Sequence, residues 1–367
     1  MLITVLLLSI TTHAVEISAP SAILMEKETG SILFTKDEHA KLEPASITKV
    51  MTLLLTMEAI DSGVLDWDTV VTASAHACSM GGSQIWLKEN EQMTVADMVK
   101  AVCVVSANDC SVALAEHIAG SESAFVENMN RRAAELGMND TTFRNTTGLP
   151  AEGHLSSAHD IAIMSRELIR NHPELRQYTT IWMDSLRNGA SELVNTNKLI
   201  RFYEGATGLK TGSTDSAKYC LSGTAERDGM ELIAVIMKAD TSAQRFDDAK
   251  TLLSYGFSAY ALKKIVPETP LPPIPVRLGI QATVQPVLGD DTALLTEKST
   301  LAELEQTVTL PETLDAPICK GDVLGTLTVS SGGKVLKEIP LLAGEEIPRI
   351  TFWQQLLRLL PKAFLAE

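Results

Sequence analysis

The spacing of apolar residues changes along the chain and predicts different elements in different regions. Residues 21–36 (SAILMEKETGSILFTK) hold two apolar runs on either side of Glu28-Thr29-Gly30, which predicts a β-hairpin. Residues 208–214, 217–226 and 231–238 (GLKTGST, AKYCLSGTAE and ELIAVIMK) predict three further strands, with a turn between the last two. Between the early and late strands, the apolar residues recur at helical spacing.

Helix start signals precede several of the periodic segments. Thr94 stands three residues before Asp97, and Ser157 stands three residues before Asp160, as in a capped N-terminus. Residues 121–137 (SESAFVENMNRRAAELG) carry an apolar stripe and stop at a glycine. With two early strands, three late strands and helices between and after them, the pattern predicts an α+β fold. We expect one antiparallel five-stranded sheet flanked by helices, in which both ends of the segment meet.

The sequence pattern also predicts a linker and a second domain after the main one. Five prolines in residues 266–275 (VPETPLPPIP) predict a stiff linker after a main domain of residues 15–265. Residues 276–345 alternate apolar and polar positions and predict a small all-β domain.

The last segment, residues 346–367, has apolar residues at helical spacing beside a few basic ones. Trp353 and the basic residues favour an amphipathic helix in the headgroup layer of a membrane, although Pro361 would bend or end it. A terminal helix docked on the β domain is the alternative.

Residues 1–14 contain an apolar stretch too short to span a bilayer, followed by small residues around Ala14. They predict an export signal cut near Ala14, although the usual positive residues are missing at its start. A buried N-terminal strand remains the alternative.

Composition narrows the classes of function. The formal net charge of -15 argues against nucleic acid as the main partner, and 367 residues with 45% apolar content suit two domains. The five cysteines are widely spaced without a C-x-x-C pair, so we expect isolated core thiols rather than a disulfide framework or a zinc site.

Candidate chemistry begins at Ser46 and Lys49, in PASITKVMTLLL (residues 44–55). Residues three apart share one face of a helix, so the lysine amine would lie beside the serine hydroxyl. A buried lysine has a lowered pKa and can take the proton of a serine nucleophile. The pair alone is weak evidence, because the same spacing occurs at Ser331 and Lys334, where two glycines predict a hairpin turn instead.

Two further motifs raise the specificity of the prediction. Ser106-Ala107-Asn108 is the one S-x-N in the sequence and falls between two helical patterns. Lys210-Thr211-Gly212 is the one K-T-G and falls on a predicted strand. S-x-x-K, S-x-N and K-T-G in this order resemble the motif set of penicillin-binding proteins and class A β-lactamases.

With these motifs, the chain resembles the D-alanyl-D-alanine carboxypeptidases, the low-molecular-mass penicillin-binding proteins of bacteria. The resemblance extends through LGMNDTTFRNTTGL (136–149) and SAQRFDDAKTLLSYGF (242–257) to the β domain and tail. It implies a β-lactamase-like fold and an exported enzyme at the outer face of the membrane. That enzyme would remove the terminal D-alanine from peptidoglycan stem peptides, react with β-lactam antibiotics and need no cofactor. The β domain would be a spacer, and the tail would hold the membrane surface.

The resemblance also implies roles for individual residues. Ser46 would form the acyl ester, Lys49 would accept its proton, and Ser106 and Asn108 would extend the proton network. Further residues would bind substrate: Lys210, Thr211, Gly212, Ser213 and Arg245. Among these, Gly212 would leave room for a substrate strand, and the backbone N–H groups of Ser46 and Ser213 would form the oxyanion hole. A surface ion pair is the alternative for Arg245.

Other functions remain open at this point. A β-lactamase would need a glutamate that activates water, and Glu192-Leu193-Val194-Asn195 has the wrong spacing for that loop. A penicillin sensor would need strong transmembrane helices and a signalling domain, which the sequence lacks. An endopeptidase of the same family cannot be distinguished by sequence.

Overall fold

The computed structural model describes residues 15–356, and this part of the chain divides into two units between Ser258 and Ala259. The predicted export signal (1–14) and the end of the predicted tail (357–367) lie outside the described residues. The first unit holds nine strands: β1 (Ser21–Glu26), β2 (Ile32–Lys36), β3 (Val70–Thr72), β4 (Gln92–Thr94), β5 (Met183–Leu186), β6 (Ser191–Val194), β7 (Ala206–Thr214), β8 (Lys218–Arg227) and β9 (Met230–Ala239).

Within the described residues, nine α-helices precede the helical residues 352–356, and the last of the nine ends at the division: α1 (Lys49–Asp61), α2 (Ala75–Cys78), α3 (Val95–Val104), α4 (Asn108–Ala119), α5 (Glu122–Glu135), α6 (Ala158–Asn171), α7 (Arg176–Thr179), α8 (Leu199–Phe202) and α9 (Ser242–Ala259). The predicted start signals are confirmed, because the Thr94 side chain accepts a hydrogen bond from Asp97 N and that of Ser157 accepts one from Asp160 N. Helix α1 is buried along most of its length, which explains its continuous apolar sequence.

The central sheet has the strand order β2-β1-β9-β8-β7, and every neighbouring pair is antiparallel. This confirms the predicted five-stranded sheet with helices around it. Strand β1 pairs with β9 along its whole length, from Ser21 opposite Met237 to Glu26 opposite Leu232. The two ends of the unit therefore meet in the sheet, and β7 is left as one of its edge strands.

The second unit is built from short strands: β10 (Tyr260–Lys264), β11 (Ile274–Arg277), β12 (Thr283–Val284), β13 (Pro286–Leu288), β14 (Ala293–Glu297), β15 (Leu304–Thr309), β16 (Leu314–Asp315), β17 (Val323–Ser331) and β18 (Lys334–Ala343). Strand β10 pairs with β14, so residues ahead of the proline-rich segment already belong to this unit. Ser331 and Lys334 flank the tight turn between β17 and β18, and this excludes them as a catalytic pair.

One expectation about the cysteines needs correction. Cys103, Cys110 and Cys220 are buried, but Cys319 is exposed, so the prediction of core thiols is wrong for Cys319. Within residues 15–356, no helix is long and apolar enough to cross a membrane. Residues 352–356 are helical, as predicted for the start of the tail.

Candidate active site

Ser46 and Lys49 lie at the junction of two helical segments. A 3₁₀ helix spans Ala45–Thr48 and leads directly into α1, whose first residue is Lys49. The lysine Nζ lies 3.1 Å from Ser46 Oγ, which is hydrogen-bonding distance. The predicted approach of the two side chains is therefore present in the structure.

The environment of Lys49 disfavours its charged form. The side chain is fully buried, and Nζ also donates to Asn108 Oδ1 (2.5 Å) and to the Thr147 carbonyl (2.7 Å). Burial, reinforced by the charge of Lys210, lowers the pKa of Lys49 well below its usual value, and Asp109 opposes this only in part. A neutral amine with a free lone pair can accept the proton of a neighbouring hydroxyl.

The S-x-N motif forms the second wall of the site. Ser106 has a left-handed backbone (φ 64°), and within the described chain its buried Oγ has no hydrogen-bond partner. Asn108 begins α4 and is held at two points, because its backbone N–H donates to Ser83 O (2.7 Å) and Nδ2 donates to Gly81 O (2.6 Å). Its oxygen is thereby aimed at Lys49. An unpartnered buried hydroxyl beside this network suits a group that hydrogen-bonds to substrate.

Strand β7 supplies the third wall. Lys210 is buried, and its Nζ donates to the Thr211 carbonyl (3.0 Å). Burial, and to a smaller degree the nearby Arg245, lowers the pKa of Lys210 to about 7, although Cys103 opposes the change. Ser213 is exposed on the same edge strand. The K-T-G segment thus lies at a sheet edge, where an extended ligand can pair with it.

Arg245 is not a surface ion pair in this structure. It is 7% exposed, and its Nη1 donates to the backbone carbonyls of Gly212 (3.0 Å) and Cys220 (3.3 Å). Its guanidinium lies over the rings of Tyr219 and Phe246, and its buried Nε lacks a hydrogen-bond partner among residues 15–356. These contacts attach α9 to the K-T-G strand and leave the buried Nε without a partner among the described residues.

Two glycines allow the backbone to close around Ser46. A Cβ on Gly212 would lie 2.8 Å from the Pro44 carbonyl and 3.0 Å from Ser46 N. A Cβ on Gly148, at φ 80°, would lie 1.8 Å from the Ala45 carbonyl. The segment that carries Ser46 therefore occupies the space beside Gly212, where the resemblance implied room for a substrate strand.

Several residues of the site were missed by sequence reasoning. The Thr147 carbonyl binds Lys49, and Thr196 Oγ1 lies 2.7 Å from Thr211 Oγ1. No local spacing connects them to the motifs, because each comes from a loop distant in sequence. The segment around Thr147, NTTGL (145–149), was noted only as part of the resemblance.

His154 has a structural position below the site. Its Nδ1 accepts a hydrogen bond from Arg144 N (3.2 Å), so its Nε2 carries the proton and donates to Thr48 Oγ1 (2.8 Å). Burial, with a smaller contribution from Arg144, lowers the pKa of His154 to about 4 and keeps the ring neutral. The ring therefore supports the 3₁₀ helix next to the nucleophile.

Comparison with known proteins agrees with this geometry. Residues 9–241 match the D-alanyl-D-alanine carboxypeptidase family, and residues 262–349 match the C-terminal domain of penicillin-binding protein 5. The chain belongs to the D-alanyl-D-alanine carboxypeptidase family. The predicted fold and the predicted class of enzyme, a peptidase, are confirmed.

Individual relatives match either nearly the whole chain or about two thirds of it. The D-alanyl-D-alanine carboxypeptidase DacF of Bacillus subtilis is 41% identical over 91% of this chain and 87% of its own length. Penicillin-binding protein 5 of Haemophilus influenzae has a TM-score of 0.79 at 30% identity, covering 91% of this chain and 98% of that one. Penicillin-binding protein D2 of Listeria monocytogenes, solved with ampicillin bound, has a TM-score of 0.61 at 33% identity, covering 66% of this chain and 99% of that one.

Proposed function

We propose that the chain removes the terminal D-alanine from peptidoglycan stem peptides through an acyl ester on Ser46. The observation that carries the proposal is the buried Lys49 amine, 3.1 Å from Ser46 Oγ, with a lowered pKa. Ser46 Oγ attacks the carbonyl carbon of the penultimate D-alanine, and its proton passes to Lys49. The C–O ester bond forms, and the C–N bond to the terminal D-alanine breaks.

The departing amine needs a proton, and the site offers a route for it. Ser106 Oγ is buried with no hydrogen-bond partner among residues 15–356, and it lies in the same wall as Asn108, which contacts Lys49. We assign Ser106 to pass the proton to the leaving nitrogen. Water then hydrolyses the ester, which releases the shortened peptide and restores the hydroxyl. During both steps, the backbone N–H groups of Ser46 and Ser213 would stabilise the oxyanion.

The K-T-G strand would hold the substrate. The substrate peptide would extend along the edge of β7, with its terminal carboxylate facing Lys210 and Thr211. Arg245 supports this assignment because it is fixed on Gly212 O and its Nε has no hydrogen-bond partner in the described part of the chain. Gly212 contributes by letting this strand approach the backbone of Ser46.

β-Lactams would acylate the same hydroxyl, as the ampicillin-bound relative suggests. A β-lactamase is disfavoured because Glu192, in β6, is exposed, and Asp109 accepts hydrogen bonds from Ile85 N and Leu87 N. Glu192 lies at the surface and Asp109 is already engaged by backbone N–H groups, so neither supports a water-activating role.

A labelling experiment tests the assignment of Ser46. Purified protein should form a covalent adduct with a fluorescent penicillin, and Ser46→Ala should remove it. Ser331→Ala is the matched control, because Ser331 has the same spacing to a lysine but lies beside a hairpin turn. Peptide mapping that placed the adduct on another residue would overturn the assignment. Release of D-alanine from a peptide ending in D-Ala-D-Ala would confirm the substrate.

Such a substrate lies outside the cytoplasm, and we propose that the protein is exported and held at the outer face of the cytoplasmic membrane. The supporting observation is the exposure of Phe352 and Trp353, 74% and 71% respectively, at the start of the predicted tail. Exposed aromatic side chains of this kind partition into the headgroup layer of a bilayer.

A further inference from the structure

Three potential metal ligands meet at the end of α1 that lies away from Ser46. Asp61 is the last residue of α1, His172 follows the last turn of α6, and Glu174 lies in the short 3₁₀ helix after it. His172 Nδ1 is 3.0 Å from Asp61 Oδ2 and 3.8 Å from Glu174 Oε1. One ligand atom from each residue falls within 4.8 Å of the other two.

The histidine of this cluster is buried and has an unused polar atom. His172 is 4% exposed, yet within residues 15–356 its Nδ1 has no hydrogen-bond partner. Asp61 Oδ2 is close enough to His172 Nδ1 for an ion pair, but the angle between the two groups does not meet the criterion for a hydrogen bond. Buried polar atoms without partners are rare, and here the atom faces two carboxylates.

The arrangement suits a metal ion with mixed nitrogen and oxygen ligands. Zinc binds imidazole nitrogen and carboxylate oxygen at about 2.0–2.2 Å, so ligand atoms in a tetrahedral site lie about 3.3 Å apart. The Asp61 and Glu174 side chains are 56% and 38% exposed, so they can rotate by the small amounts needed to reach this spacing. Their exposure also leaves a fourth position open to water.

We propose that Asp61, His172 and Glu174 bind a divalent transition-metal ion, with zinc the preferred ion, that joins the end of α1 to the end of α6. The imidazole ligand disfavours magnesium and calcium, which prefer oxygen ligands alone. The ion has no part in the chemistry at Ser46, because the 13 residues of α1 place Asp61 about 18 Å along the helix from Lys49. Its effect is to stabilise the folded first unit.

The test uses the full chain without a histidine tag, stripped of metal with a chelator. Calorimetric titration with zinc chloride should show one site per chain. Saturating zinc should raise the melting temperature by at least about 3 °C, because the ion binds only the folded arrangement of the ligands. Magnesium chloride should produce neither effect. Failure to bind zinc at micromolar concentrations would contradict the proposal.

Substitutions locate the ion. Asp61→Asn and Glu174→Gln change exposed side chains, so the fold should persist while zinc affinity falls at least about tenfold. Asp68→Asn, an exposed carboxylate beyond α1, is the matched control and should bind zinc normally. His39 and His159 lie against each other elsewhere, so zinc binding that survives both ligand variants but disappears in His39→Gln would refute the assignment.

A separate readout keeps this proposal independent of the catalytic one. The rate of penicillin labelling at Ser46 should be the same with zinc and with chelator. Loss of labelling in chelator would contradict the non-catalytic role assigned to the metal. Loss of zinc binding in the ligand variants, with labelling intact, would support it.

Discussion

Two buried lysines of the site must have opposite charge states for the proposed reaction. Lys49 has to be neutral to accept a proton, whereas Lys210 has to be charged to attract a carboxylate. The structure favours this division, because burial and the charge of Lys210 together lower the pKa of Lys49, while the pKa of Lys210 falls only to about 7. The charge of Lys210 therefore helps to keep Lys49 neutral.

The pH dependence of kcat/KM should reflect both groups. Activity should fall at low pH as Lys49 becomes protonated, and at high pH as Lys210 loses its proton, with the alkaline limb near pH 7 in the free enzyme. In Lys210→Arg, the alkaline limb should move to higher pH, because a guanidinium stays charged. D-alanine release across the pH range measures this. An unmoved alkaline limb would exclude Lys210 as its origin.

Gly148 should tolerate no side chain. A Cβ there would overlap the Ala45 carbonyl, so Gly148→Ala should displace the segment of Ser46 and cost more than about 3 kcal/mol in the free energy of unfolding. Gly137→Ala is the control. It has a similar backbone (φ 76°) but open space, so it should cost only about 1–2 kcal/mol. Urea unfolding measures both, and equal costs would show that close packing at Gly148 is unimportant.

At the scale of elements, the segment just ahead of β1 is hydrogen-bonded to α9, the last helix of the first unit. Asp248, in α9, accepts hydrogen bonds from Ser18 N and Oγ (both 3.0 Å) and from Ala19 N (2.8 Å). These bonds lie just ahead of β1, which occupies an inner position of the sheet. They fix the point at which the chain enters its core.

Asp248→Ala should therefore lower the free energy of unfolding by about 2–4 kcal/mol, because three donors lose a mostly buried acceptor. Asp247→Ala removes the neighbouring, exposed carboxylate, whose ion pair with Lys250 has a distance of 3.6 Å. It should change stability by no more than about 0.5 kcal/mol. Chemical unfolding of the two variants provides the comparison, and similar losses would argue against the proposed role of Asp248.

Sequence reasoning succeeded where contacts are local and failed where they are not. The spacing of Ser46 and Lys49 and the capping of α3 and α6 depend on neighbours within one turn, so pattern alone predicted them. The Thr147 carbonyl and the crowding at Gly212 depend on loops brought together by the whole fold. Short elements such as α2 and the β5–β6 hairpin escaped prediction because they contain too few residues for a period to appear.

At the scale of the whole molecule, the proposed catalytic site and the proposed membrane-binding residues belong to different units. All predicted site residues lie in the first unit, and the exposed aromatic residues of the tail lie in the second. Ile350, ahead of the helical residues 352–356 of the tail, is buried and its N–H donates to Leu278 O (2.8 Å), so a truncation should keep it.

Ending the chain at Ile350 should abolish sedimentation with phospholipid vesicles and leave penicillin labelling unchanged. The loss follows from removing the apolar surface that would enter the headgroup layer. Val323→Ser in the full chain is the control, because this residue is equally exposed (69%) but lies in the β domain. Unaltered sedimentation of the truncated chain would favour a tail that docks on protein instead.

The burial of the two lysines also predicts how the protein would respond to selection for heat resistance. Because burial lowers both pKa values, the unfolded chain binds protons that the folded chain gives up at neutral pH. The two lysines therefore lower the free energy of unfolding. This loss of stability is complete at pH values below the folded pKa and disappears above about 10.5, the pKa of lysine in the unfolded chain. Directed evolution that selects for thermal stability alone, without selecting for activity, should therefore replace Lys49 or Lys210 with an uncharged residue of similar volume. The most stable variants from such a selection would have lost their catalytic activity.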